Sequence, residues 1–200
     1  MGKLRQKDIA PFKWAKTVTP SLPAIVLTDP RYPHNAGAAV RAASCFGVVQ
    51  VWLTGKRVAK QVWESKRIPR EERMKGFNDV SIILEDRPFD HFPKNAIPVA
   101  VDLIPGAENL LAFEHPDYAV YVFGPEDGSV SHRMRSKCHR RVFIPTKHCT
   151  NLGAAVYLLL YDRMMKGYLN GDVPAMSLAE ALKDDRDTGW AVDDHPAFEG

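Results

Sequence analysis

The chain has 200 residues, 45% of them hydrophobic and 26% charged, enough for one packed domain or one domain with decorated ends. No apolar run reaches the length of a membrane span, and the basic N-terminus lacks the apolar centre of a signal peptide. Three cysteines, Cys45, Cys138 and Cys149, build no disulfide framework, so a reducing cytoplasm is the expected location and no membrane partner is expected.

The net charge of +3 is unevenly spread. Residues Asp172 to Gly200 carry eight acids and two bases, which leaves the rest of the chain near +9. A basic body with an acidic tail points to a polyanionic partner, nucleic acid ahead of a membrane surface.

In chain order, Ala24 to Thr28 (AIVLT) reads as a buried strand and Asn35 to Phe46 as a helix. Gln50–Leu53, Val80–Leu84, Ile97–Leu103, Ala119–Gly124 and Arg141–Ile144 read as further strands, and Asn151 to Met165 as a strong helix. Runs rich in β-branched residues separated by helices predict an α/β domain with a largely parallel sheet. The expected organisation is a basic extension over 1–22, a domain over 23–169 and an acidic tail over 170–200. The tail carries one short helix, Ser177 to Lys183, started by a serine cap.

Three motifs sit where such a domain places its chemistry. The first runs from Asn35 to Arg41 and on to Gly47, with Asn35 read as the helix N-cap and Gly47 as its left-handed close. Small residues surround Arg41, and a helix start beside an unobstructed guanidinium suits a phosphate. A core helix with one solvated arginine explains the same residues. The second is Gly124-Pro-Glu126-Asp-Gly128, at the carboxyl end of a buried strand, where ligands of open parallel sheets bind. The third leads from Ile144-Pro145 through Cys149 and Asn151 into the last helix, where Cys149 or Asn151 either caps the helix or touches a ligand. Cys138-His139 and His148-Cys149 make a pair of pairs, but adjacent residues seldom chelate one ion, and no metal site is expected. His91, His115, His132 and His195 read as loop or surface residues. His34, beside Asn35, is the one placed near the site.

The order N-x-G-x-x-x-R, strand-G-x-E-x-x-G, then I-P followed by C-x-N and a small-residue helix resembles the SPOUT superfamily, and within it the SpoU/TrmH-like RNA methyltransferases, over about residues 23 to 167. The resemblance implies an α/β knot: a mostly parallel sheet flanked by helices, with a C-terminal deep trefoil knot and a homodimer formed through it. It implies S-adenosylmethionine as methyl donor, held by Asp102, Leu103, Gly124, Ile144 and Cys149. It implies methylation of a ribose 2′-hydroxyl in RNA, with Arg41 as the central catalytic residue and Asn35, Glu126 and Asn151 supporting it. An inert knotted RNA-binding protein and a ring-nitrogen methyltransferase of the same superfamily are the alternatives.

The chain departs from the family at Cys149, where serine is usual, and in the loop Thr146–His148, about three residues short. Two basic segments suit phosphates: Arg133, Arg135, Lys137, Arg140, Arg141 and Lys147 without an acid among them, and a second run from Lys56 to Lys75 with Trp63 and Phe77 nearby. Without a separate RNA-binding domain, the expected substrate is transfer RNA ahead of ribosomal RNA.

Overall fold

The structure, a computed structural model, describes residues 12–13, 20–58 and 79–182. Most of the basic N-terminal extension, the run from 59 to 78 with Trp63 and Phe77, and the tail beyond 182 lie outside the described residues.

Among the described residues, eight parallel strands form one sheet: β1 (Phe12–Lys13), β2 (Ala24–Thr28), β3 (Gln50–Thr54), β4 (Ser81–Leu84), β5 (Ile97–Val101), β6 (Glu108–Asn109), β7 (Ala119–Phe123) and β8 (Arg140–Phe143). Their order across the sheet is β1-β4-β3-β2-β7-β5-β8-β6. β2 is central, with Ile25 opposite Val51 on one side and Tyr121 on the other. It is buried along its whole length, as is β7, which accounts for their unbroken apolar sequences. Because side chains alternate, Ile25, Leu27, Tyr121 and Phe123 face one core, while Ala24, Val26, Val120 and Val122 face a second with Trp52 and Met134. Cys138 packs against this second core, and burial pushes its thiol up to about 11.

The first core is covered by α1 (Pro33–Cys45) and by the start of the last long helix, α3 (Leu152–Leu169). A short helix, α2 (His132–Arg135), capped by Ser131, precedes β8. α1 starts at Pro33 because proline is preorganised for the first helical position. Its N-cap is therefore Tyr32, and the cap role read for Asn35 does not hold: Asn35 sits inside the first turn with a buried side chain. Gly47 does close the helix, at φ +70°. α1 and α3 meet closely at Gly153, where a Cβ would stand 2.6 Å from that of Ala38.

His115, read as a loop or surface residue, lies in a loop, but its side chain is only 5% exposed. Its Nδ1 lies 2.7 Å from the Tyr121 hydroxyl and its Nε2 2.8 Å from Asp162 Oδ2 of α3. Arg163 donates to the same hydroxyl at 2.9 Å and to the carbonyl of Pro116 at 2.7 Å. Burial pushes the Tyr121 hydroxyl up to about 12, so it stays protonated and bridges the two.

The chain divides into two compact units, residues 1–163 and 164–200. In the second, the backbone turns back on Gly167, which accepts from the N–H groups of Asp172 (2.8 Å) and Val173 (3.2 Å). There α4 (Leu178–Leu182) opens on a capping box, the Ser177 hydroxyl accepting from Glu180 N–H and the Glu180 carboxylate accepting from Ser177 N–H.

Tyr121→Phe removes the hydroxyl that His115 and Arg163 share and leaves polar groups short of a partner. Unfolding in urea should show a loss of about 1–3 kcal/mol.

Candidate active site

Parallel strands aim their carboxyl ends in one direction, and the segments leaving β5, β7 and β8 enclose a cleft there. Its wall includes Asp102 and Leu103 after β5, Gly124 to Glu126 after β7, and Ile144 after β8, and it continues through Thr146, Cys149 and Thr150 to Leu152 and Ala155 of α3. All five residues expected to hold a methyl donor line this one cleft. Pro125, Thr146, Thr150 and the α3 residues were not foreseen. Their only signal was position, each falling just beyond a strand or at the start of a helix.

The loop after β7 doubles back tightly. A Cβ on Gly124 would stand 2.8 Å from the backbone nitrogen of Val130 and 3.0 Å from the carbonyl carbon of Ser129, so no side chain fits. Asp102 clamps the return: one carboxylate oxygen accepts from Val130 N–H at 2.8 Å, the other from Leu103 N–H at 2.8 Å. Asp102 therefore shapes the cleft as well as lining it. The Gly128 position is roomier, its added Cβ meeting only Pro125 at 3.6 Å.

Three of the four expected catalytic residues form one hydrogen-bonded chain. Glu126 accepts from the Asn35 amide at 2.6 Å, and Asn35 in turn accepts from the Asn151 amide at 2.6 Å. Asn151 then caps α3 by accepting from Ala154 N–H at 3.0 Å. Glu126 also takes the N–H groups of Arg31 (2.7 Å) and Tyr32 (3.4 Å) at the start of α1. Burial alone raises the Glu126 carboxyl, but the hydrogen bonds from Arg31, Asn35 and Tyr32 outweigh it and hold the group below the usual carboxylate range.

Arg41 stands apart from this chain. It lies six positions after Asn35 on α1, which turns it about 120° away around the helix. It is partly exposed, on a stripe with His34, Ala38 and Cys45, and has no hydrogen-bond or ion-pair partner among the described residues.

An ionic clasp outside the three motifs joins the same loops. Arg57 reaches Asp127 at 2.8 Å and Asp29 at 2.9 Å, and it also donates to the Asp29 carbonyl oxygen. Asp29 holds φ +44°, and its carboxylate accepts from Lys56 and Arg57 N–H. Gly55 must lack a side chain here, because its Cβ would fall 2.1 Å from Asp29 Oδ1. The hydrogen bond with Arg57 draws the Asp127 carboxyl down. As a member of the basic run from Lys56 to Lys75, Arg57 is expected to face RNA; the structure commits it to this clasp. Arg140 is likewise engaged, its fork on Glu108 at 2.6 and 2.9 Å and its plane 4.2 Å over the Phe113 ring. Arg133, Arg135 and Lys147 have no ion-pair partner among the described residues.

Residues 23–161 match the model of the SpoU rRNA Methylase family, well over half of the chain, and the chain belongs to that family. It is accordingly an RNA methyltransferase that takes its methyl group from S-adenosylmethionine. Among solved structures, it is similar to the A. aeolicus TrmH/SpoU tRNA modifying enzyme at TM-score 0.64 and 20% identity, over 80% of this chain and 83% of that one. A structure bearing on the 2-OH methylation of C/U34 on tRNA gives TM-score 0.60 and 21% identity, over 72% and 89%. The SpoU methyltransferase AviRb from Streptomyces viridochromogenes, in complex with AdoMet, gives 0.59 and 18%, over 73% and 60%. At these identities the likeness speaks to the fold. No curated protein sequence matches the chain at a significant level.

Glu126 links acid sensitivity to the site. Its folded pKa is lowered, so its contribution is complete above the unfolded value, about 4.3, and is lost as pH falls through the folded one. Glu126→Gln should melt below the wild type at neutral pH, and the two melting temperatures should converge as the pH falls below the ordinary carboxylate range.

Proposed function

We propose that the protein methylates a ribose 2′-hydroxyl of RNA, transfer RNA ahead of ribosomal RNA, as a knotted homodimer in the cytoplasm. The observation that carries this reading is the Glu126–Asn35–Asn151 chain fixed beside the cleft, with Arg41 on another side of the same helix and without a partner among the described residues.

The residues of the cleft suit the methyl donor. Val101, Phe123, Ile144 and Leu152 present apolar surface for a flat heteroaromatic ring, Thr146 and Thr150 bring hydroxyls for a sugar, and Glu126 brings negative charge for a cation. Asp102, Leu103, Gly124, Ile144 and Cys149 would hold it, several through backbone groups at the strand ends. When bound, S-adenosylmethionine supplies an electrophilic methyl on a sulfonium leaving group. The remaining work is alignment of the ribose oxygen and help with its proton. A guanidinium is a poor proton acceptor, so Arg41 holds the adjacent phosphate and stabilises charge growing on the 2′-oxygen. Asn35, through Glu126 and Asn151, fixes the start of α1 and α3 relative to the cleft, so that phosphate and sugar meet a rigid frame.

Two features support the dimer and the knot. Arg41 is turned away from Asn35, so a complete site draws Arg41 from a second copy, and its neighbour α3 exposes Leu158 (42%) and Tyr161 (55%) for such a partner. β8 lies between β5 and β6, which residues 102–107 join directly, and the chain runs on from β6 to β7 on the other side of β5 before it returns as β8. A strand that enters last between two strands already joined is the arrangement a threaded C-terminal segment would produce. The odd set of free thiols, Cys45, Cys138 and Cys149, is in keeping with a reducing compartment.

The test is methyl transfer from labelled S-adenosylmethionine to total transfer RNA, followed by digestion to nucleosides. A ribose-methylated nucleoside is expected; a ring-methylated one would move the protein to base chemistry. Arg41→Ala should lower turnover at least about 100-fold while calorimetry finds cofactor binding unchanged. Mixing Arg41→Ala with Asn35→Ala subunits should restore activity, because one mixed cleft then has an intact Asn35 and an intact Arg41. No restoration would rule out the shared site.

A further inference from the structure

The start of α1 carries a feature outside the three motifs. Arg31 lies over the Tyr32 ring, 5.2 Å from its centroid, and Tyr32 is stacked on His34 with centroids 5.4 Å apart and planes 25° from parallel. All three side chains are exposed, Tyr32 at 41%. The column does not hang on a loose loop. Tyr32 is the extended N-cap of α1, Pro33 follows it at the first helical position, and the N–H groups of Arg31 and Tyr32 both donate to Glu126. The Arg31 guanidinium is steadied further by Asp127 at 3.4 Å. A carboxylate in the cleft wall thus fixes the backbone that carries Arg31 and Tyr32.

We propose that Arg31, Tyr32 and His34 form a stacking platform for one unpaired nucleobase of the RNA substrate, next to the ribose that is methylated. The proposal rests on the reading of this cleft as an RNA methylation site. Its chemistry is specific to that partner. Every base offers a π-face to an aromatic ring or a guanidinium plane, and a single-stranded loop can splay a base outward, whereas paired bases cannot leave their stack without cost. The Arg31 cation beside the Tyr32 ring adds attraction for a nearby phosphate. Catalysis at a ribose in a loop needs its nucleotide held still, and a base pinned on rings tied to Glu126 holds the sugar in register with the cleft. Tyr32 is on this account a positioning residue for the substrate, with no part in holding the methyl donor.

The experiment uses the full-length protein and a short single-stranded RNA carrying 2-aminopurine, whose fluorescence falls when it stacks. The wild type should bind it with quenching. Tyr32→Ala should weaken binding by about 5- to 150-fold and abolish the quenching. Tyr32→Phe and Tyr32→Trp should retain both, and affinity for S-adenosylmethionine should be the same in all four proteins. Equal affinity and quenching in Tyr32→Ala, or no binding by the wild type, would overturn the platform. Methyl transfer to total transfer RNA by the same preparations reports separately on the reading beneath it. Transfer that proceeds without any Tyr32-dependent quenching defeats the platform alone. Tyr32-dependent quenching without transfer supports the platform and counts against ribose methylation.

Discussion

Glu126 is the carboxylate on which the arrangement of this site depends. It stands just past a fully buried strand, yet its two oxygens collect backbone and side-chain donors from the start of α1, and through Asn35 they reach the cap of α3. Segments more than ninety residues apart in sequence are therefore held at one point. Hydrogen bonds to an ionised group are stronger than neutral ones, which makes a carboxylate an effective hub for loops that would otherwise move independently.

Around that hub the sheet does the coarse positioning and a few steric constraints do the fine. Parallel pairing brings the ends of β5, β7 and β8 to the same side, where their exit loops enclose the cleft. Gly124 lets its loop fold back on itself, and Asp102 secures the return. On the other flank, Arg57 joins Asp29 to Asp127, tying the exit of β2 to the residue beside Glu126. The cleft is thus shaped by groups that need not touch a ligand. At the opposite end of the same core, Tyr121, His115, Asp162 and Arg163 anchor α3 to the sheet, so the helix that forms one wall of the cleft is fixed along its length within the first unit.

Most of the described elements are legible in the amino-acid pattern. β2 and β7 announce themselves as unbroken apolar runs because both of their faces are buried, and α1 and α3 as small-residue helices because they approach one another at Gly153 and Ala38. The end of α1 at Gly47 follows from a positive φ that glycine adopts without strain. These are local signals, set by burial period and backbone freedom, and a chain read in order reveals them. Asp102, Leu103, Gly124, Ile144 and Cys149 of the cleft are also legible, through motif order and not through any contact that the sequence displays.

Partnerships between side chains, in contrast, emerge only once the chain has folded. Asparagine before a helix ordinarily reads as a cap, but Pro33 moves the helix start to Tyr32 and frees Asn35 for Glu126. A histidine in a polar loop reads as a surface residue, but the His115 loop packs under α3, where Asp162 and Tyr121 satisfy both ring nitrogens. Arg57 and Arg140 read as free cations, because their acids, Asp127 and Glu108, are 70 and 32 positions away. Local pattern alone reveals the longer strands, the two long helices and the family, since those depend on neighbours along the chain; the two-residue strands β1 and β6 and the short α2 are too brief to leave such a pattern. The pairing of charges depends on neighbours across the sheet, and distance in sequence carries no record of it.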